Sequence, residues 1–181
     1  MRLATLLKTS LISLFLFGCT GVPSGVEPVR GFDVTRYDGT WYEIMRLDHS
    51  FEEGLTNVTA TYTLRDDGSV GVLNRGFDPA ECGWSDAEGT ATFQEEPDVA
   101  SLSVTFFWPF SGGYHVFHLD RDAYQYAVVA GPTRNYLWIL ARSPDLAEDK
   151  VADLVAVAAE NGFAVDDLIR VSHEEPACQA Q

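Results

Sequence analysis

The residue of this sequence best placed to do chemistry is an acidic side chain in an aromatic setting. In the segment YDGTWYEIMR, strand alternation would place Trp41, Glu43 and Met45 on one face and Tyr42 and Ile44 on the other. A carboxylate buried there is a candidate catalytic acid, because burial raises its pKa. We find no Ser-His-Asp, Cys-His or paired-carboxylate pattern to supply a partner. We therefore predict no catalytic residues and no enzyme activity, and expect Glu43 to have a cationic partner.

The cysteines and histidines point to structure more than to reactivity. Cys82 and Cys178 are an even pair, and in an exported chain this favours a disulfide that ties the C-terminal tail to the body. Two free thiols are the alternative, in which case Cys82 would be the one nucleophile candidate. The four histidines are scattered, and His118 is expected to face the interior as a satisfied polar group. We predict no metal site and no cofactor.

The remaining cysteine, Cys19, follows a segment typical of a bacterial lipoprotein. A basic start precedes the apolar run SLISLFLFG, which is too short to span a bilayer. LFGC resembles a lipobox, although Phe17 stands where smaller residues are usual; an ordinary signal peptide is the alternative. We predict a signal peptide over residues 1–18 and lipidation at Cys19. Thr20 replaces the Asp associated with inner-membrane retention, which favours an outer-membrane lipid anchor on the periplasmic face.

Composition limits the partners of the remaining chain. The 181 residues carry a net charge of −15, and cleavage before Cys19 removes two basic residues to leave −17. A phosphate backbone would repel such a chain, so we predict no nucleic-acid partner. Anionic lipids would repel it too, so membrane attachment needs the covalent anchor. We expect residues 19–32 to be a tether and residues 33–181 to be one domain; the sequence leaves open whether it forms a homodimer.

Eight strand-like segments fill most of that domain. Period-2 alternation is clearest in NVTATYTL, and turn residues separate the segments. One amphipathic helix follows, in SPDLAEDKVADLVAVAAENGF, and a short strand, DLIRVS, could pair with the edge of the first strand. We predict an all-β fold: an eight-stranded antiparallel up-and-down β-barrel with one C-terminal α-helix packed outside. A filled sandwich is the competing fold.

Three motifs in order resemble the signatures of the lipocalin family. Gly39-Thr40-Trp41 matches its Gly-x-Trp motif, and NYLWILAR matches the other two, with Asn135 where many members have Asp. TFFWPFSGGY and GPTRNYLWILARSP resemble more specifically the bacterial outer-membrane lipoprotein lipocalins, in the group of apolipoprotein D and the plant temperature-induced lipocalins. The resemblance implies a barrel-floor signature of Gly39, Trp41, Glu43 and Arg142, with Arg142 on the Trp41 ring and within reach of Glu43.

If Trp41 points inward, strand parity assigns the wall of the cavity. The predicted ligand-binding side chains are mainly apolar, with a few hydroxyls to fix a headgroup: Tyr62, Val72, Phe93, Val104, Phe106, Tyr114, Val116, Tyr136 and Trp138. The resemblance implies fatty acids, lysophospholipids or similar amphiphiles, held for envelope lipid storage or transport. The alternatives are a lipocalin-fold enzyme and a filled barrel that serves only as an interaction module. Phe107, Trp108 and Phe110 cannot all point inward, so we predict exposed aromatic surface there.

Overall fold

The structure, a computed structural model, describes residues 20–178; the predicted signal peptide and the predicted lipidation at Cys19 lie outside that range. The chain forms nine strands, two α-helices and one 3-10 turn within those residues. In chain order they are α1 (Val34–Tyr37), β1 (Gly39–Leu47), β2 (Thr56–Leu64), β3 (Val70–Asp78), β4 (Gly83–Phe93), β5 (Ser101–Phe107), β6 (Phe110–Leu119), β7 (Tyr126–Ala130), β8 (Leu137–Ala141), α2 (Glu148–Glu160), a 3-10 turn (Val165–Asp167) and β9 (Leu168–Arg170).

The first eight strands close into an antiparallel barrel. Each strand pairs with its neighbours in sequence, and β1 pairs with both β2 and β8, which completes the circle. The short β9 adds beside β1 at Met45–Leu47. The fold predicted from the sequence is therefore confirmed, including the last short strand.

A β-bulge in β1 breaks the simple alternation. The pairing with β8 shifts between Glu43 and Met45. As a result Ile44 and Met45 both pack on the outer face, and Arg46 turns into the lumen in place of Met45. The extra residue of a bulge shifts the parity of everything after it. The prediction that Met45 shares the inner face with Trp41 is therefore wrong.

A second bulge, in β6, changes the face of the barrel on which His118 lies. The pairing of β6 with β7 shifts between Val116 and His118. Val116 and Leu119 face the lumen, whereas His118 stacks on Tyr126 at 6.3 Å, and Tyr126 packs against the outer cluster. Burial, followed by the charge of Lys150 on α2, lowers the pKa of His118. The prediction that His118 faces the interior is wrong.

Helix α2 covers one side of the barrel from outside. It buries Val151, Leu154 and Ala158, which pack on the outer-facing residues Ile44 and Ile139 of the barrel wall. The helix ends before Gly162, whose φ of +79° lies in the left-handed region that glycine adopts without strain. No helix among residues 20–178 has the length and apolar character needed to cross a bilayer.

The segment predicted as a tether is part of the folded domain. Val29 accepts a hydrogen bond from the backbone N–H of Ala100 (2.9 Å) and donates one to Val116 O (2.8 Å). Val26 and Phe32 are buried, the first in the outer cluster and the second in the lumen. Such burial is worth about 1.5–3 kcal/mol per large apolar side chain. Residues 20–32 therefore pack against the barrel and are not a free tether.

The predicted disulfide is present. Cys82, in the turn between β3 and β4, is bonded to Cys178, with their Cα atoms 4.9 Å apart and 96 positions apart in sequence. The bond fixes the C-terminal tail to the open end of the barrel.

Replacing both Cys82 and Cys178 with Ser should lower the free energy of unfolding by about 2–4 kcal/mol, because the bond closes a long loop in the unfolded chain. Urea unfolding of the variant and the parent protein measures this difference. Reductant should destabilise the parent to the same level and leave the variant unchanged. Two thiols that react with an alkylating agent in unreduced, exported protein would contradict the prediction.

Candidate functional site

The closed end of the barrel is built from one stack of side chains. Asp33 caps the short helix α1 by accepting a hydrogen bond from the backbone N–H of Thr35 (3.0 Å). The helix brings Tyr37 onto the Trp41 ring at a centroid distance of 4.5 Å, and Trp41 Nε1 donates to Tyr37 O at 2.9 Å. Arg142 covers the other side, with its guanidinium carbon 4.1 Å from the Trp41 ring centroid. Trp41 is completely buried as a result.

The Arg142 side chain forms hydrogen bonds with the backbone at the closed end of the barrel. Its guanidinium donates to the carbonyls of Thr40 (3.0 Å), Arg36 (2.8 Å) and Asp38 (2.9 Å). The approach is close at Gly39, where a Cβ would lie 3.4 Å from Arg142 Nη1 and φ is +96°. Glycine is the residue that tolerates both conditions.

The cation beside Glu43 is a different arginine from the predicted one. Arg46 Nη1 donates to Glu43 Oε1 at 2.9 Å, and both side chains are almost fully buried. Arg46 Nη2 also donates to Glu52 O at 2.6 Å. The partnership of Glu43 with Arg142 is therefore wrong, because the β1 bulge places Arg46 on the same inner face three residues later. Glu43 lies above the floor stack and is not part of it.

The loop that follows β1 brings two more polar side chains to this pair. Trp138 Nε1 donates to Glu52 Oε2 at 3.1 Å, and His49 Nε2 lies 3.3 Å from the same oxygen. The His49 ring also contacts the rings of Trp138 and Tyr136, with centroids 5.2 and 5.4 Å apart. We call Glu43, Arg46, His49, Glu52 and Trp138 the mouth cluster, because it lies where the loop of residues 48–55 meets the open end.

The pKa values of the two acids of the mouth cluster shift in opposite directions, although burial favours the protonated form of both. Burial, with the neighbouring charge of Glu52, holds the pKa of Glu43 well above its usual 4.5, although Arg46 opposes it. Burial also disfavours charge on Glu52, but hydrogen bonds from His49 and Trp138 and the charge of Arg46 outweigh it and lower its pKa. The cluster therefore favours one negative charge, on Glu52, opposite the Arg46 cation.

Replacing Glu43 with Gln should stabilise the protein increasingly as the pH rises above about 4.5. The raised pKa means that the folded state favours the protonated acid. The contribution of Glu43 to stability is therefore fully present below pH 4.5, and it is lost as the pH rises through the folded-state pKa. Each unit of that shift corresponds to about 1.4 kcal/mol. Urea unfolding of the variant and the parent at several pH values measures the difference in their free energies of unfolding. Glu53→Gln, an exposed control in the same loop, should change little; a gain for E43Q that shrinks with rising pH would refute the prediction.

Three tyrosine hydroxyls meet inside the barrel below the mouth cluster. Tyr114 OH lies 2.8 Å from Tyr37 OH and accepts from Tyr62 OH at 2.7 Å. Burial raises the pKa of all three phenols above their usual value, so they stay neutral donors and acceptors. The hydroxyls predicted at Tyr62 and Tyr114 thus satisfy one another.

The predicted wall residues do not all occupy the same depth. Tyr62, Val72, Val104 and Val116 are buried in the lumen cluster. Phe93, Phe106, Tyr114 and Trp138 pack against it and are partly exposed. Tyr136 lies just before β8, at the mouth, where it stacks with Phe51 and Trp138 at centroid distances of 6.3 Å each. The structure therefore brings eight of the nine residues to the wall and one to the rim.

Sequence reasoning missed Arg46, His49, Glu52, Tyr37 and Phe32. Strict alternation would turn Arg46 outward, and the signal that points to it is its position three residues after an inward Glu43 without a partner. Phe32 and Tyr37 precede the first strand, and their lumen positions depend on α1 folding under the barrel. His49 and Glu52 come from a loop without periodicity.

A closed eight-stranded barrel with an inward Gly-x-Trp tryptophan covered by an arginine defines a lipocalin. Residues 32–173 match the lipocalin-like domain family. The chain therefore belongs to the lipocalin family.

Its relatives give the more particular likeness. The chain is 47% identical over 173 residues to the outer membrane lipoprotein Blc of Escherichia coli, with 94% of this chain and 97% of that protein covered. It is 37% identical to temperature-induced lipocalin-1 of Arabidopsis thaliana, covering 79% and 80%. Among solved structures, insecticyanin from the tobacco hornworm matches with a TM-score of 0.67 at 22% identity, covering 88% of this chain and 90% of that one. That last likeness concerns the fold alone.

Proposed function

We propose that this lipocalin is anchored in the outer membrane and holds fatty acids, lysophospholipids or similar amphiphiles in its barrel. The observation that carries the proposal is the lumen itself, an apolar and aromatic wall that reaches from Trp41 at the floor to Trp138 near the mouth. An acyl chain gains about 0.8 kcal/mol for each methylene that it buries against such a wall. The role would be storage or transport of lipids needed for envelope maintenance.

The upper half of the lumen is the better place for the acyl chain. Side chains near the floor are buried and packed together, whereas Phe106, Tyr136 and Trp138 near the open end are only partly buried. Apolar surface that is still accessible is surface that a ligand can cover.

The mouth cluster offers donors for the polar end of an amphiphile. Arg46 Nε and His49 Nδ1 are buried and make no hydrogen bond to any residue of 20–178, whereas His49 Nε2 faces Glu52 Oε2 at 3.3 Å. A buried donor without a partner is costly, and a ligand oxygen would satisfy it. These donors favour an anionic or zwitterionic headgroup over an uncharged ligand.

Titration with a fluorescent fatty acid tests the lipid-binding proposal. We expect saturable binding with about one site per barrel, which an unlabelled fatty acid and a lysophospholipid should displace. An absence of saturable binding would instead support a filled barrel that acts as an interaction module.

The anchor proposal rests on LFGC and on the outer membrane lipoproteins that this chain resembles. Replacing Cys19 with Ser should remove the acylation site and leave the protein soluble or uncleaved. Fractionation of cells that express the variant measures this, and Cys82→Ser with Cys178→Ser, which keeps Cys19, should still sediment with the outer membrane. Unchanged membrane fractionation of the Cys19 variant would refute the anchor.

Catalysis is not part of the proposal. The one nucleophile candidate that the sequence offers for an enzyme, Cys82, is bonded to Cys178 and so has no free thiol. Whether two copies associate as a homodimer stays a prediction for sedimentation at several protein concentrations.

A further inference from the structure

The turn between β5 and β6 presents three aromatic side chains to solvent. Phe107 is 78% exposed, Trp108 89% and Phe110 71%. Phe107 and Phe110 pair across the end of the hairpin, so the group stands at the tip. We call these three residues the aromatic tip. The prediction of exposed aromatic surface in this segment is confirmed, and exposed apolar groups of this kind mark a contact surface.

The described chain begins beside the same hairpin. Thr20 O accepts a hydrogen bond from Gln94 Nε2 at 2.8 Å, and Gly21 O lies 3.1 Å from His115 Nε2 on β6. Thr20 runs so close to β6 that a Cβ on Gly113 would lie 2.8 Å from Thr20 O. Cys19 precedes Thr20 in the sequence, so an acyl anchor on that cysteine would be attached one residue before this contact.

The distance along β6 from the Thr20 contact to the aromatic tip suits a bilayer surface. Three residues of strand separate Gly113 from Phe110, which is about 10 Å at roughly 3.3 Å per residue. Apolar side chains of surface-bound proteins enter about 5–10 Å into the boundary between headgroups and acyl chains. With the anchor held at the surface, the tip would reach that depth when the open end of the barrel faces the membrane.

Charge distinguishes this hairpin from the loop on the opposite side of the rim. Residues 105–113, TFFWPFSGG, contain no charged side chain in a protein whose net charge is strongly negative. The loop of residues 48–55 joins β1 and β2, on the opposite side of the eight-stranded circle, and carries the exposed acids Asp48 and Glu53. Anionic lipids repel that side, so the barrel would tilt with the hairpin leading.

From these observations, and resting on the proposed anchor, we infer that the aromatic tip inserts into the leaflet that holds the lipid anchor and turns the open end of the barrel toward the bilayer. The occupant of this surface is the phospholipid bilayer. Two attachment points, one covalent and one aromatic, fix an orientation that an acyl anchor alone leaves free.

Tryptophan quenching by brominated lipid tests the insertion. The lipidated protein is reconstituted in vesicles of phosphatidylethanolamine and phosphatidylglycerol, with and without bromine on the acyl chains. We expect strong quenching of the parent protein and loss of most of it in Trp108→Ser. Trp84→Ser is the matched control, because Trp84 is also exposed but lies on β4 away from the anchor; its quenching should match that of the parent.

The same experiment separates docking from lipid binding in the lumen. Quenching that remains in W108S reports brominated lipid taken up beside Trp138, so it follows the proposed function and not the tip. Equal quenching of W108S and the parent would overturn the docking inference, whatever the fatty-acid titration shows. Association of lipid-free protein that disappears in a Phe107→Ser, Trp108→Ser, Phe110→Ser variant would also overturn it, by assigning the tip to a second copy.

Discussion

Replacing Arg46 with Met is expected to lower the free energy of unfolding by about 3–5 kcal/mol, the usual effect of removing one partner of a buried ion pair. Arg46 is 1% exposed and is the cation between Glu43 and the backbone of Glu52. Without it, two carboxyl groups share the upper lumen with no positive charge between them. Urea unfolding at pH 7 measures the change, and it should be smaller near pH 4, where both acids gain protons more readily.

A second substitution distinguishes loss of charge balance from loss of packing. Glu43→Gln combined with Arg46→Met removes the Arg46 cation together with the acid that it faces, and it should recover part of the stability that Arg46→Met loses. Arg36→Met, which removes an exposed arginine near the closed end, is the control for general effects of the substitution and should cost less than about 1 kcal/mol. Additive effects in the double variant would show that the ion pair contributes nothing.

The barrel could be predicted from the sequence because alternation and turn residues recur in eight consecutive segments. Strand number, direction and the outer helix all follow from patterns of period 2 and 3.6. The floor could be placed because the Gly-x-Trp and Arg142 motifs lie at the ends of two strands that meet in an up-and-down barrel. Those parts depend on local pattern and chain order alone.

The mouth cluster could not be predicted in the same way. Each bulge inserts one residue and reverses the faces that follow, so the inward positions predicted for Met45 and His118 are both wrong. Bulges have no reliable signature in the sequence, since the backbone and not the side chain decides them. His49 and Glu52 depend in addition on how a loop folds over the open end.

The mouth cluster would give the proposed lipid ligand polar contacts that the apolar wall alone lacks. Arg46 Nε and His49 Nδ1 have no hydrogen-bond partner among residues 20–178, and the His49 ring lies beside the half-buried rings of Tyr136 and Trp138. Burial of an acyl chain supplies affinity, and fixed polar groups supply orientation. A ligand that contacts both the apolar wall and the mouth cluster would lie with its headgroup at the open end. This is the end that, in our inference, the aromatic tip turns toward the bilayer.

Replacing Trp138 with Ala should weaken fatty-acid binding by roughly tenfold or more, equivalent to about 1.4 kcal/mol. The side chain forms part of the upper wall, and its Nε1 holds Glu52 Oε2 at 3.1 Å. Stability should fall only modestly, because space opened beside an accessible lumen leaves less unfilled core than a cavity in a packed interior. Fatty-acid titration and thermal unfolding of one preparation give both quantities.

The control variants decide what a result for Trp138 means. Trp138→Phe keeps an aromatic wall without the hydrogen bond to Glu52, so affinity close to that of the parent would assign the effect to apolar contact. Trp84→Ala removes an exposed tryptophan from the outer face, where Trp84 packs on Phe77, and should leave affinity unchanged. If W138A instead loses about 3–5 kcal/mol of stability and no affinity, the barrel is filled. The lipid-binding proposal would then fail, because the wall from Trp41 to Trp138 would be a packed core.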